Sequence, residues 1–378
     1  MTASSLRILH LLSHDRVKSG GAFQAILLAR AQRSRGCEVR FVHNSGRNEA
    51  EATAAFEPLV REGFECDSIP MQHFARFGGR RRFRRLVAQF EPDVLHSHRE
   101  RAMRFAVSAL RDLRGPVLLA QKGNCYPSDR PTAAAYRSER LDRIIAVAEA
   151  VKSVLVFSDR VRPEKVEVIY GSFDGDRFGR PVDGGVVRSE LGIPEAVPVI
   201  GIVANLDRKK GHALFFQMAR KILEQKPGAL FAVIGGGDLE RARAQARQCG
   251  VLDSILFTGF RRDVERLLSA LDVSVNCSHG GEGLTGAIRE SMALGLPVVC
   301  TDIGGNSELV RAGETGHLVQ AGDEKGMAEA VLHLLDNPEQ ATRMAAAGRD
   351  LVHRLMNNEG RCDQVMALYE ELLKWRRR

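Results

Sequence analysis

Residues 271–310 read strand, loop, helix, strand, and no other stretch constrains the fold of this chain as tightly. The apolar run 271–275 (LDVSV) reads as a strand, and a loop follows in which Gly280, Gly281 and Gly283 surround Glu282. A helix opens near Thr285 and stops at Gly295, and residues 297–300 form the next strand. A strand returning through a helix to a second strand is the unit of a doubly wound α/β sheet, whose ligand crevice lies at the carboxyl ends of the strands. The helix start in such a crossover offers unpaired N–H groups to an anion. Gly283 has no side chain to hold a phosphate or sugar away from the backbone. Glu282 and Glu290 are separated by seven residues, one in the loop and one about a turn into the helix. Carboxylates at this place suit sugar and ribose hydroxyls better than phosphates. The alternative is that Glu282 is a solvated loop residue and Glu290 a partner of the helix dipole.

A chain of 378 residues has room for two domains of ordinary size. No run of eighteen apolar residues occurs, and the start MTASSLRILHLL lacks a basic leader region, so neither a membrane span nor a signal peptide is expected. Seven scattered cysteines without metal-site spacing point to a reducing, cytoplasmic setting. The net charge of +8 is lopsided: residues 1–175 carry +9 and the remainder −1. A basic first half suits an acidic acceptor, an anionic lipid surface or nucleic acid, and charge alone does not choose.

The N-terminal half repeats the strand–helix alternation. Residues 7–12 form a strand, a loop carries Gly20 and Gly21, a helix spans 22–33, and 38–42 form the next strand. Two adjacent glycines are not the three-glycine dinucleotide fingerprint. Residues 44–70 are polar and ambiguous. Between Phe74 and Phe90, Arg76, Arg80, Arg81, Arg82, Arg84 and Arg85 interleave with Phe77, Phe83, Leu86, Val87 and Phe90, the last four of which share one helical face. Such a basic amphipathic helix either packs on the sheet with a solvated arginine face or lies on an anionic surface. Nothing else in the chain resembles a nucleic-acid module.

Asp93 to His98 ends a strand in His96 and His98, and no third ligand at a sensible spacing supports a metal site. Arg99 follows directly, and Lys122 and Asn124 occupy the loop after the strand 116–120. Asp174-Gly175-Asp176 is formally a D-x-D in a hinge-like setting, and the Gly/Pro-rich stretch 181–198 reads as a linker. A second run of units begins at the strand 199–204, followed by Asn205-Leu206-Asp207-Arg208-Lys209-Lys210-Gly211 and a helix from His212. Cationic side chains beside a helix start are what a diphosphate needs. The strand 229–234 opens into Gly235 and Gly236, and 254–264 forms a strand and loop containing Phe260. The tail 361–378 is an amphipathic helix in which Trp375 is expected as packing.

The segment Glu282, Glu290, Ser291, Met292, Ala293, Gly295, Pro297, Val298, Val299 closely resembles the donor-sugar motif of family 4 retaining glycosyltransferases. The paired glycines, the strand end at His98, Lys210-Gly211 and Gly304-Gly305 with Glu308 are similar to further motifs of that family. The resemblance implies the GT-B fold: two Rossmann-like doubly wound α/β domains facing across a cleft. It divides the chain into an acceptor-side domain 1–175, a linker 176–195 and a donor domain 196–355, with helix 361–378 packing back on the first domain. It implies transfer of a sugar from a nucleotide diphosphate sugar, a UDP-sugar favoured, with retained anomeric configuration and without metal or other cofactor. Glu282 would then hold sugar hydroxyls, Glu290 the ribose diol, and His98 the sugar from the other domain. Lys210 would stabilise the diphosphate, with backbone groups at Gly283, Leu284 and Thr285. Gly20, Gly21, Gly235, Gly236 and Phe260 would line the donor. The family's arginine is replaced here by Asn205, so Arg208 or Lys209 supplies the missing charge or the phosphate grip is weak. Arg99, Lys122 and Asn124 are the acceptor-side candidates. The arginine helix suggests a glycan or lipid-linked envelope acceptor, such as a lipopolysaccharide core, at the inner face of the membrane.

Three alternatives stand beside this reading. A NAD-dependent oxidoreductase explains the strands but leaves both glutamates and Lys210 without a role. A nucleotide-sugar hydrolase or epimerase fits the same fold. A non-catalytic nucleotide-binding module fits the departure at Asn205.

Overall fold

The computed structural model describes residues 6–15, 20–46, 48–71, 76–113, 115–180 and 182–377. The chain forms two units, Met1–Ser172 with Asn358–Arg378, and Phe173–Asn357.

In the first unit β1 (Arg7–Leu12), β2 (Glu38–Asn44), β3 (Glu65–Ile69), β4 (Val94–His98), β5 (Val117–Lys122), β6 (Arg143–Ala146) and β7 (Val166–Val168) form one sheet, ordered β3-β2-β1-β4-β5-β6-β7. Every pairing is parallel. A parallel sheet is covered on both faces, so its strands are apolar throughout rather than alternating. Accordingly β5 (VLLAQK) is buried along its whole length. The ambiguous stretch after β2 proves to be helix Glu49–Arg61 followed by β3. Asn48 caps that helix by accepting from Glu51 N, a signal that polar composition masked.

The helix Arg76–Phe90 buries Phe83, Leu86, Val87 and Phe90. Its apolar face is spent on the domain core and is not available for a lipid surface. Phe74 lies outside the described residues, as do the side chains of Arg76 and Phe77. Arg80 donates to Ser108, Arg84 to the Ala109 carbonyl and Arg82 to Glu49, while Arg81 and Arg85 stand exposed without a side-chain bond among the described residues. The last helix, Asn358–Arg377, buries Cys362, Val365, Leu368, Tyr369 and Leu372 in this unit's core. Trp375, expected as packing, is 68% exposed instead, because it falls on the flank of that buried face.

In the second unit β8 (Val199–Val203), β9 (Leu230–Ile234), β10 (Ile255–Gly259), β11 (Val273–Asn276), β12 (Val298–Thr301) and β13 (His317–Val319) form a parallel sheet ordered β10-β9-β8-β11-β12-β13. Both sheets reverse strand order between their first and fourth strands, β1/β4 and β8/β11. These are the switch points where loops diverge and leave a crevice. The stretch 176–195, expected as a linker, is folded into this unit. It forms helices Gly175–Phe178 and Gly184–Glu190, with Arg188 bonded to Asp272 and to the Ala270 carbonyl. Asp174 accepts from Asp176 N and caps the first of them, which accounts for the D-x-D as helix-start chemistry. No helix among the described residues is long and apolar enough to cross a membrane.

Candidate functional site

Two loops flank the switch point of the second sheet, 204–211 after β8 and 277–285 after β11. Gly211 (φ +74°) locks them together, since a Cβ there would stand 1.8 Å from the Cys277 carbonyl oxygen. His279 N donates to the Lys209 carbonyl at 3.0 Å, tying the loops a second time. From these loops Lys210 Nζ and Glu282 Oε1 meet in an ion pair, and Ser278 Oγ donates to the same carboxylate oxygen at 3.1 Å. Sequence reading missed Ser278, which carries no motif of its own.

The 277–285 loop is braced from behind. Thr285 Oγ1 donates to Asn306 Oδ1 at 2.8 Å, Asn306 Nδ2 to the Thr301 carbonyl at 3.0 Å, and Gly305 N to the Gly283 carbonyl at 2.9 Å. The Gly304-Gly305 turn therefore positions the loop, and the Thr285 hydroxyl is committed to Asn306. Gly283 and Thr285 thus have only backbone to turn to a ligand. The helix Gly286–Ala293 that follows has no side-chain cap at Thr285, so its first N–H groups stay available.

Glu290 lies one turn in, near Arg177, Asp174 and Glu265, and burial pushes its carboxyl above the ordinary carboxylate range, opposed by Arg289 and Arg177. Arg177, which no motif marked, also binds Glu265 and donates to the Arg262 carbonyl. Gly235 and Gly236 answer to packing within the domain. A Cβ on Gly235 would stand 2.0 Å from the Ala204 carbonyl oxygen, and one on Gly236 3.1 Å from Phe260 Cβ. Phe260 rests on Gly236 with its side chain 61% exposed. Asn205 is exposed at the same crevice. Arg208 is exposed and lines a cleft of about 270 Å³ with His212, Asp238, Arg241 and Gln245. Lys209 Nζ lies 3.9 Å from Asp207. Neither cation is bonded to Glu282.

At the switch point of the first sheet, His98 ends β4. His10 Nε2 donates to Gln32 Oε1 at 2.8 Å, which leaves His10 Nδ1 to accept from His98 Nε2, also at 2.8 Å. His96 Nδ1 meets the Tyr369 hydroxyl at 2.6 Å. Burial holds His98 and His96 far below the ordinary imidazole value and His10 at about 4, so all three rings are neutral. The third histidine that spacing did not reveal is thus His10, brought in by β1, and the ligand atoms of the three lie within 4.8 Å. The rings of His96 and His98 stack at 4.3 Å and 22°, so their lone pairs run side by side rather than converging on one ion. This is a hydrogen-bonded stack that orients His98.

Arg99 comes next with φ +75°, a left-handed backbone for a residue with a Cβ, and its side chain is exposed. Lys122 is 1% exposed with its ammonium on Glu100 (2.8 Å) and Ser128 (3.1 Å), so its charge is used inside the domain. Asn124 accepts from Tyr126 N and shapes its own loop. Gly20 and Gly21 open helix Gly20–Ser34 with nothing within 4 Å of an added Cβ, so packing does not demand glycine at either position. Lys18 and Ser19 lie outside the described residues.

Residues 18–177 match the model of Glycosyltransferase Family 4, and residues 186–351 that of Glycosyl transferases group 1. A lipopolysaccharide core biosynthesis mannosyltransferase of Rhizobium meliloti is 30% identical, over 62% of this chain and 67% of its own. A phosphatidyl-myo-inositol mannosyltransferase of Mycobacterium leprae is 26% identical over 94% of this chain and 93% of its own. The crystal structure of Anabaena HepE in complex with UDP-glucose superposes with a TM-score of 0.84 at 19% identity, covering 97% of this chain and all of that one. Its fold is the one found here, two Rossmann-like parallel-sheet domains. With these similarities and the site geometry together, the chain belongs to the glycosyltransferases of the GT-B fold, related to group 1 and family 4.

Proposed function

We propose that this enzyme is a retaining glycosyltransferase of the family 4 type that takes a UDP-sugar and works without a metal ion. The observation that carries the reading is the Lys210–Glu282 pair, held across the β8/β11 switch point beside an uncapped helix start. An ammonium has three donors, so Lys210 can keep Glu282 and still present N–H to a phosphate oxygen. Negative charge grows on the diphosphate as the glycosidic C–O bond breaks, and a preorganised cation with backbone amides of 283–285 stabilises it there. Glu282 then accepts from sugar hydroxyls and Glu290 from the ribose diol. The acceptor hydroxyl attacks from the face the diphosphate leaves, its proton passes to a phosphate oxygen, and configuration is retained. No protein general base is assigned.

His98, oriented through His10 and Gln32, takes the role of a neutral imidazole toward the donor sugar. The HepE complex with UDP-glucose supports uridine as the base, and the lipopolysaccharide-core and phosphatidylinositol enzymes support a glycan or lipid-linked acceptor. Exposed Arg81 and Arg85 would attract the enzyme to an anionic lipid surface at the cytoplasmic face of the membrane. Contact there is electrostatic, because the helix's apolar residues are buried.

The test is thermal stabilisation by UDP, GDP, ADP, CDP, dTDP and NAD in excess EDTA, followed by product analysis with the matching nucleotide sugar. Selective stabilisation by UDP without metal, and an α-linked product from an α-donor, is the expected result. Stabilisation by NAD alone, or a strict metal requirement, overturns the reading.

A further inference from the structure

Helix Gly286–Ala293 carries an arginine that its surroundings within the chain do not explain. Arg289 is 5% exposed, and its Nε is buried without a hydrogen-bond partner. One of its terminal nitrogens, Nη2, stands 3.5 Å from the point where a Cβ on Gly286 would sit, and Glu290 Oε1 stands 3.9 Å from the same point. The guanidinium is thus folded back over the first turn of its own helix. No carboxylate among the described residues forms an ion pair with it. Burial works against its charge, and Glu290 relieves it only at longer range.

The same helix start lacks a side-chain cap, whereas Asp183, Asp238 and Asp323 each cap another helix of this domain. A cation beside a helix N-terminus faces the positive end of the dipole, an adverse placement that burial makes worse. Two positive features, the guanidinium and the bare N–H groups, therefore meet at the carboxyl edge of β11 with little to offset them. An anion at this corner resolves both. Asn205 provides no charge at the crevice, so a further cation here would add to the grip that Lys210 and the loop amides give the donor's diphosphate.

We propose that Arg289 and the uncapped start of its helix form an anion-binding corner for the diphosphate of the donor, supplying the cation that Asn205 does not. This rests on the donor reading above and adds an anion-binding residue to it. The experiment is calorimetric titration of wild type, Arg289→Met and Arg289→Lys with UDP and with uridine in EDTA, alongside UDP-glucose and UDP-glucuronate.

Arg289→Met is expected to weaken UDP about tenfold or more, as for a lost charge-assisted bond, and to leave uridine unchanged. Arg289→Lys should lose less. Removing an uncompensated buried charge should also leave the melting temperature without ligand no lower than wild type. Equal UDP affinity in all three proteins overturns the assignment, as does a parallel loss for uridine with a fall in melting temperature, the mark of a structural role. A loss confined to UDP-glucuronate moves the anion to the sugar and overturns the diphosphate assignment. Failure of wild type to bind UDP at all is a separate result and overturns the donor reading itself.

Discussion

Arg99 offers a test in which backbone and side chain can be separated. Its φ of +75° and ψ of 157° fall in a region that glycine alone enters freely, so an arginine there stores about 1–3 kcal/mol of strain. The residue follows β4 directly, at the switch point, and its exposed side chain makes no hydrogen bond among the described residues. Its carbonyl accepts from Met103 N at 3.1 Å, which any residue can do. Arg99→Gly relieves the strain and gives back about 0.5–1 kcal/mol through the freer unfolded chain, for a net gain of roughly 0–2.5 kcal/mol, centred near 1 kcal/mol. At about 2–4 °C per kcal/mol for a domain of this size, the central estimate is a rise in melting temperature of about 2–4 °C, with an upper bound of about 10 °C. Arg99→Ala keeps its Cβ and therefore the strain, and should stay within about 0.5 kcal/mol of wild type. Scanning calorimetry of the three proteins reads this directly, and transfer assays should show both variants impaired if the guanidinium meets the acceptor. Equal stability of the glycine and alanine variants, or a less stable glycine variant, refutes the argument from strain.

Three further outcomes are expected. Lys210→Met should lower turnover by about 10²–10³-fold and weaken UDP but not uridine, as measured by initial rates and calorimetry; a uniform loss for both ligands contradicts a phosphate role. His10, His14 and His212 are each held down to about 4 by burial, so the unfolded chain binds more protons than the native one between pH 6.5 and 4. Stability is full above pH 6.5 and falls on acidification by up to ~1.4 kcal/mol per pH unit for each group, which urea midpoints at pH 7 and 5 will show; a flat profile counts against burial of the three. Reversing Arg81, Arg82 and Arg85 to Glu should cost about 1 kcal/mol or more per site in binding to anionic liposomes, in a salt-dependent way and without change in UDP affinity. Unaltered liposome binding removes the membrane proposal.

Much of the architecture was legible because each strand and helix announces itself through neighbours two to four residues away. Helix Arg76–Phe90 was readable from Phe83, Leu86, Val87 and Phe90, and its burial follows that pattern. Helix Glu49–Arg61 and β3 were not, because most of their apolar residues are small alanines among acidic ones and their packing partners lie elsewhere in the chain. Lys122 shows the same limit at the site. It was singled out as a cation near a ligand edge, yet its ammonium is bound to Glu100 and Ser128.

The linear order of residues by itself settled that this chain builds parallel α/β units, where the carboxyl ends of their strands fall, and that Lys210, Glu282 and Glu290 follow those ends. Such features depend on local periodicity and on loop position after a strand. Only the tertiary structure decided which side chains meet there. It paired Lys210 with Glu282 across 72 residues, brought His10 to His98 across 88, and folded Arg289 back over an uncapped helix start. A charge's partner is set by what the fold packs against it, and spacing along the chain carries no record of that.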